Sequence, residues 1–579
     1  MKKTILVLIS LLCIASTAVA QSEFQSTLKA KAAKGATIYG TVECNGEPLE
    51  GVVVSDGYEV VTTNKKGVYN IASEKRNGLV FITLPSGYEA PCKGNDPVPT
   101  YWAKLSADAT VAERHDFVLN KVDNRRHALL AITDIHISNQ LGDVEQFRDN
   151  AMPRIRERVE HYRKQGIPVY TVCTGDSSFD LFWYDFLFDI GDFRRLLVNE
   201  KYPTPLFHAM GNHDHDGATP HSPETDFLSD AKARQAFGPT YYSFNLGDIH
   251  YVMLDNIEYY NTPGGKPSKG IVGAREFGHR VTQNQLDWLK KDLAHVGFDT
   301  PVVVGMHCPV LRYKNHKAAE ITTIFTAQDR VRNNWEEVGR LTDVLKEYKN
   351  VHFITGHTHH NRTVYGRDDA TKANISNIID HNVSAICGAW WFTAAHGGVH
   401  LAPDGVPAGF EVFDMDGSNM SWYFTSIDDG HERQFRTFDL NEVGNYYRND
   451  GEIRVFLSRN NKRTDYAAYA EKYPNQVMIS VWGWDPAWKV RAWEGDKELT
   501  VQHKPMENPQ YTVAYYVAKS VWRRDLDVKR YNTPSRMPNM FLVNCSSPTS
   551  TIKVEVTDAF GRTYTENMER PKAFSKKMR

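Results

Sequence analysis

A surplus of charge of one sign is what this chain most plainly lacks. Its 579 residues carry 68 basic and 70 acidic side chains, for a formal net charge of −2, and there is no basic tail. Dedicated nucleic-acid binding therefore has no electrostatic support, because holding a phosphate backbone takes clustered Lys and Arg. Long apolar runs are missing after the first twenty residues, which leaves no later stretch able to cross a bilayer as a helix. Cysteine is sparse, at seven residues. Cys173, Cys308 and Cys387 lie in or beside apolar strands, at spacings far from paired zinc-ligand patterns, and read as buried thiols. No internal repeat or low-complexity tract stands out. What is present is a balanced globular composition, 41% hydrophobic and 24% charged, in a chain too long for one core, so about two to four domains are expected.

The first twenty residues differ from the rest. Lys2 and Lys3 precede an apolar run from Ile5 to Ala15, and Ala18-Val19-Ala20 then offers small residues for cleavage before Gln21. This is the grammar of a secretory signal peptide at residues 1–20. Its apolar core is too short to span a membrane comfortably, and Leu12 before Cys13 disfavours a lipoprotein signal. The expected location is outside the cytoplasm, periplasmic in a Gram-negative cell and otherwise secreted, with no membrane span after cleavage. Export makes a disulfide between Cys44 and Cys92 an expectation as well.

Three grammars follow one another along the chain. After a Lys/Ala/Ser-rich linker at 21–35, residues 36–121 alternate short strands with Gly and Asn turns, as in Gly51-Val52-Val53-Val54-Ser55-Asp56-Gly57, and predict a small β-sandwich. Its order of Gly-x-Val, Gly-x-Pro-Leu-x-Gly-Val, Asp-Gly and Gly-x-Tyr resembles the transthyretin-like modules of exported enzymes. Residues 125–428 alternate strands (129–133, 169–173, 249–254, 302–305, 351–355) with helical stretches (144–164, 180–199, 283–296, 330–348), the pattern of a sheet covered by helices with functional loops at strand ends. Residues 429–579 read as strands again, among them 453–457, 477–482, 490–493, 512–517 and 552–556, which predicts a second small all-β domain.

Five signals punctuate the α/β segment, each just after an apolar strand: Asp134-Ile135-His136, Gly175-Asp176, Gly211-Asn212-His213-Asp214, Met306-His307-Cys308-Pro309 and Gly356-His357-Thr358-His359. Any one of them alone is more often a polar loop than a site. An Asn oxygen can ligate a metal and an adjacent imidazole can transfer a proton, but the specificity lies in the ordered set.

That set resembles the calcineurin-like metallophosphoesterase superfamily, over roughly residues 125–428. The resemblance implies an α/β fold, a four-layer α/β/β/α sandwich, here flanked by two small all-β domains. It implies two divalent ions (Mn, Zn or Fe), one held by Asp134, His136, Asp176 and His359. The second would be held by Asp176, Asn212, His307 and His357, with Asp176 bridging. It further implies hydrolysis of phosphate mono- or diesters by a metal-activated hydroxide, with His213 as proton donor and Asp214 orienting it. Physical chemistry agrees: a phosphate ester repels nucleophiles until cations neutralise its oxygens and lower the pKa of a water.

Departures from the pattern narrow the subclass. Purple acid phosphatases carry a ligating Tyr where this chain has Phe179, and protein Ser/Thr phosphatases continue into Asp-Arg-Gly where it reads Ser177-Ser178-Phe179-Asp180. The partner expected is a phosphate-ester substrate, with low basicity disfavouring nucleic acid. Trp390, Trp391 and His215 are candidate substrate-pocket residues. A non-catalytic exported protein that binds or scaffolds envelope glycans or other envelope components is the alternative. It would be favoured by missing ligands, and every expected ligand is present.

Overall fold

Side-chain alternation along the strand Arg126–Ile132 explains how the central core is layered. Leu129 and Ala131 join one hydrophobic cluster, whereas Ala128, Leu130 and Ile132 join another. Successive residues of a strand face opposite ways, so a strand apolar at nearly every position is covered on both sides. In the computed structural model, residues 26–578 are described except 266–268, 315–316, 318–319, 327–331, 368–372, 387–399, 460–463 and 523–533. The expected signal peptide lies outside the described residues.

Arg126–Ile132 sits at the centre of a five-stranded sheet, between Val169–Cys173 and Gly409–Asp416, with Leu206–His208 and Asn419–Ser426 at the edges. A six-stranded sheet runs Tyr242–Leu246, Ile249–Met253, Val302–Gly305, Val351–Thr355, Ile378–Asn382, Arg362–Tyr365. The helices Met152–Arg163 and Ile190–Asn199 bury Ile155, Val159, Phe193 and Leu197 with Leu130 and Ile132 of the first sheet. The second sheet faces two ways along Ile249–Met253. His250 Nε2 lies 2.9 Å from Asp292 on the helix Gln283–Leu293, while the next residue, Tyr251, meets His127 Nε2 of the first sheet at 2.7 Å through its hydroxyl. Two sheets packed between helices give the four-layer α/β/β/α sandwich.

Caps place the helix starts where periodicity alone does not. The helical stretch expected over 180–199 breaks at Leu187, whose φ is 51°, and restarts at Ile190 because Asp189 and Asp192 form a reciprocal capping box. The helix expected from 330 is formed over Trp335–Leu345, with the Asn334 side chain accepting from Glu337 N–H.

The N-terminal segment forms two β-sheets, of six and four strands. It docks on an edge of the central domain: Asn245 N–H donates to the Leu84 carbonyl at 2.8 Å, and Thr83 and Ser243 hydroxyls meet at 2.8 Å. This covers the edge strand Tyr242–Leu246, which would otherwise expose unpaired backbone groups.

Cys44 and Cys92 are both free thiols, contrary to the disulfide expected. Cys44 is buried at the end of Ile38–Cys44, opposite Leu119, whereas the Cys92 sulfur turns toward the Pro97 carbonyl at 3.6 Å. Burial, with Asp96 and Glu89 nearby, pushes the Cys92 thiol up to about 12, which leaves little thiolate for exchange. Alkylation of the unreduced, denatured protein followed by peptide mapping is expected to label both residues; recovery of a cross-linked peptide would contradict this placement.

The C-terminal segment contains two four-stranded β-sheets, but also helices in two of the five stretches expected as strands. Residues 453–457 lie in the helix Gly451–Arg459, started by Asp450, which accepts from Ile453 N–H at 3.0 Å; Ile453 and Phe456 are buried at helical spacing. Residues 512–517 form a π-helical turn after Pro509–Tyr511, where Asn508 caps Gln510 and Tyr511. Both stretches are rich in β-branched and aromatic residues, and caps plus tertiary burial override that propensity. Among the described residues no helix is long and apolar enough to cross a membrane.

Candidate metal centre

Parallel pairing brings the five loop signals together. Arg126–Ile132, Val169–Cys173 and Leu206–His208 run parallel in the first sheet, and Ile249–Met253, Val302–Gly305 and Val351–Thr355 run parallel in the second. Within each sheet the carboxyl ends therefore share one edge, which is where ligands bind in open α/β sheets.

All seven residues expected as ligands meet there. His359 Nε2 lies 3.1 Å from Asp134 Oδ1 and 3.0 Å from His136 Nε2; His136 Nε2 is 3.6 Å from Asp134 Oδ1 and 3.8 Å from Asp176 Oδ2. On the other side, His307 Nε2 lies 3.1 Å from both Asp176 Oδ2 and Asn212 Oδ1. His357 Nδ1 is 2.8 Å from Asn212 Oδ1 and 3.2 Å from His307 Nε2. Asp176 belongs to two groups of close donors, one with His136 and His213 and one with His307 and His357.

The chemistry of this donor set fits divalent ions. His307 Nδ1–H donates to the Thr174 carbonyl at 2.8 Å, which fixes the tautomer and turns the Nε2 lone pair toward Asp176 and Asn212; metal-ligating imidazoles are held in this way. Asp134 and Asp176 are both held below the ordinary carboxylate range, because the surrounding imidazoles outweigh the upward push of burial. Mixed nitrogen and oxygen donors suit Mn, Zn or Fe.

The backbone is strained where the expected ligands sit. Asp134, His136, Asp176, His357 and His359 have φ values of 51°, 48°, 51°, 67° and 59°. Left-handed conformations cost side-chain-bearing residues stability and cluster at functional sites. Glycines make room for this crowding: a Cβ at Gly211 would run into the nitrogen and carboxylate of Asp176, and one at Gly356 into Thr133 and Asp134.

His213 stands beside the ligands. Its backbone N–H donates to Asp176 Oδ1 at 2.7 Å, and its ring lies 5.2 Å from that of His136. Its orienting partner is Asp180, not the Asp214 expected. Asp180 Oδ1 is 2.8 Å from His213 Nδ1, and Arg275 pairs with the same carboxylate while its Nη2 lies 3.1 Å from Nδ1. Burial raises the Asp180 carboxyl, but Arg275 and His213 outweigh it and hold it below its usual range. Phe179, where a relative would carry a ligating Tyr, packs edge-on against both His136 and His213.

Asp214 faces the other way. It is fully buried and accepts from the backbone N–H groups of Gly211, Ser178 and Ser177 at 3.1, 3.0 and 3.3 Å. It staples two loops together because the turn's own N–H groups need a buried acceptor. His215 is likewise no cleft residue: it is fully buried, bonded to Ser229 Oγ at 3.1 Å and stacked on Tyr259. Trp390 and Trp391 lie outside the described residues. Asp180 had one sequence signal, its place four residues after Asp176. Arg275, sixty-two residues from His213 in a stretch without periodicity, had none.

Residues 127–361 match the family model for the calcineurin-like phosphoesterase. Residues 36–122 and 380–564 match models for the N-terminal and C-terminal parts of calcineurin-like phosphoesterases. Among solved structures, a dimetal phosphatase from Danio rerio is similar at 14% identity and a TM-score of 0.30, over 52% of this chain and 96% of that one. GAP50, the anchor in the inner membrane complex of Plasmodium, is 12% identical with a TM-score of 0.29, over 53% and 86% of the two chains. A 5'-nucleotidase from Candida albicans is 9% identical with a TM-score of 0.29, over 52% of each chain. No curated protein matches the chain.

Proposed function

Because the chain belongs to the calcineurin-like phosphoesterases and is thereby a metal-dependent hydrolase, we propose that it cleaves phosphate mono- or diesters outside the cytoplasm. The observation that carries this reading is the convergence of five strand-end loops into two groups of donors, with Asp176 grouped with His307 and His357 and 3.8 Å from His136 of the other. Asp134, His136, Asp176 and His359 would hold one divalent ion, and Asp176, Asn212, His307 and His357 the other. When bound, such a pair neutralises phosphate charge and lowers the pKa of a water.

The chain's own contribution is proton placement. An anionic Asp180 at Nδ1 fixes the orientation of the His213 ring, leaving Nε2 to donate to the departing oxygen. Arg275 keeps Asp180 ionised and in place. Phe179, unable to ligate, limits rotation of His213 from one side. Lys2, Lys3 and the apolar run after them support export.

Turnover of bis-p-nitrophenyl phosphate against p-nitrophenyl phosphate, with added Mn²⁺ or Zn²⁺, tests the reading. Hydrolysis of at least one ester, abolished by chelator and restored by metal, is expected, and the ratio assigns diester or monoester preference. Absence of turnover on both by metal-loaded protein would overturn it in favour of a binding or scaffolding role.

A further inference from the structure

Behind the loop that carries Asn212 and His213 lies a second cluster that the phosphoesterase chemistry does not use. His215, Asp230 and Asp255 are 0%, 5% and 3% exposed, and each places one ring-nitrogen or carboxylate-oxygen atom within 4.8 Å of the others. They come from three separate elements. His215 follows the catalytic turn, Asp230 joins the helices Thr225–Ser229 and Ala231–Phe237, and Asp255 follows the strand Ile249–Met253.

Hydrogen bonding leaves this cluster incomplete. The Ser229 hydroxyl donates to the Asp226 carbonyl at 2.8 Å, so His215 Nδ1, 3.1 Å from that hydroxyl, must be the donor between them. Nδ1 therefore keeps its hydrogen, which leaves Nε2 as the ring nitrogen available to an ion. Nε2 is buried and has no hydrogen-bond partner, whereas Asp230 Oδ1 makes an ion-pair contact with His215 Nδ1 at 3.1 Å. Buried polar atoms are rarely left so, and an unplaced ion is one recurring reason.

Charge points the same way. The half-buried Asp226 stands beside the cluster, its Oδ1 accepting from Tyr259 N–H at 2.7 Å. Against three carboxylates stand Arg234, whose Nη1 is 3.3 Å from Asp230 Oδ2, and His215, which burial pulls down but Asp230, Asp255 and Asp226 together push up to about 9. Burial and the neighbouring carboxylates push Asp226 up to about 7 and Asp255 well above its ordinary range. The charge is balanced either by protons, on His215 and the raised carboxylates, or by a cation that displaces them, and a divalent ion matches the excess of two negative charges over Arg234.

We propose that His215, Asp230 and Asp255 form a further divalent-cation site, structural rather than catalytic, for an ion that accepts mixed imidazole and carboxylate donors, such as Mn²⁺ or Zn²⁺. An ion there ties the catalytic turn to the loop after Ile249–Met253. In that loop Asn256, next to Asp255, brackets the backbone of Cys308: its amide donates to the Cys308 carbonyl at 2.8 Å and its oxygen accepts from Cys308 N–H at 3.0 Å. Cys308 adjoins the ligand His307. The site thus holds together two loops that supply the metal centre.

Metal stoichiometry decides it. The full chain would be stripped with chelator, dialysed against Mn²⁺ and analysed for bound metal, alongside Asp255→Asn, His215→Gln and Asp176→Asn. Asp255→Asn and His215→Gln are each expected to bind one Mn²⁺ fewer than the wild-type chain. Asp176→Asn is expected to keep the ion that those variants lose, and Mn²⁺ should still raise its melting temperature. Persistence of that ion in Asp176→Asn would support the site even if the catalytic reading failed. Should Asp255→Asn not fold, the milder His215→Gln carries the test. Wild-type stoichiometry in His215→Gln would overturn the proposal, as would an Asp176→Asn chain that binds no Mn²⁺ and shows no thermal shift.

Discussion

Asp176→Asn is expected to empty both positions of the catalytic centre and to lower kcat/KM by more than about 100-fold. The lower bound follows from scale: altering residues that merely support ligands costs about 10–100-fold in metal affinity or activity, and Asp176 touches both clusters directly. The substitution isolates charge from shape. Asn keeps an oxygen able to accept the His213 N–H now bonded to Asp176 Oδ1 at 2.7 Å, so the catalytic turn retains its anchor while the anionic donor is lost. Metal analysis should therefore show depletion at both positions in a chain whose far-UV circular dichroism is unchanged. Retention of both ions together with wild-type activity would refute Asp176 as the shared ligand.

How far the site could be read from sequence depends on what each residue answers to. The seven expected ligands follow apolar strands, and Asp176, Asn212, His307, His357 and His359 have a glycine one to three residues before them, because close loop packing demands it; those demands are local and leave a pattern. The orientation of His213 depends on Asp180 and on Arg275, brought in from a distant loop, and no local rule records that contact. The same limit holds for Asp214. Adjacency in sequence suggested a partner for His213, whereas the turn directs its carboxylate to the N–H groups of Gly211, Ser177 and Ser178. In the C-terminal segment, β-branched and aromatic runs signalled strands in both cases, and at Gly451–Arg459 and 512–517 the caps of Asp450 and Asn508 prevailed. The continuous apolar runs that mark the central strands survive because both faces of those strands are buried.

His213→Ala separates metal assembly from chemistry, and its effect should depend on the ester. The variant is expected to keep both ions, because the His213 contact to Asp176 is made by the backbone N–H, which Ala retains, and the other donors are untouched. The rate on an alkyl phosphate should fall by roughly 10²–10⁴-fold, the usual scale of general acid catalysis, since an alkoxide leaves poorly without a proton. On a nitrophenyl ester the loss should be much smaller, because that leaving group is stable as an anion. Asp180→Asn should reproduce the same selectivity in weaker form, since Asn can still bond Nδ1 but no longer offers it an anionic partner. Equal losses on both esters would assign His213 to phosphate binding or charge stabilisation instead of proton donation. Loss of metal in His213→Ala would make it a ligand, a role its place within 4.8 Å of His136 and Asp176 donors leaves geometrically open.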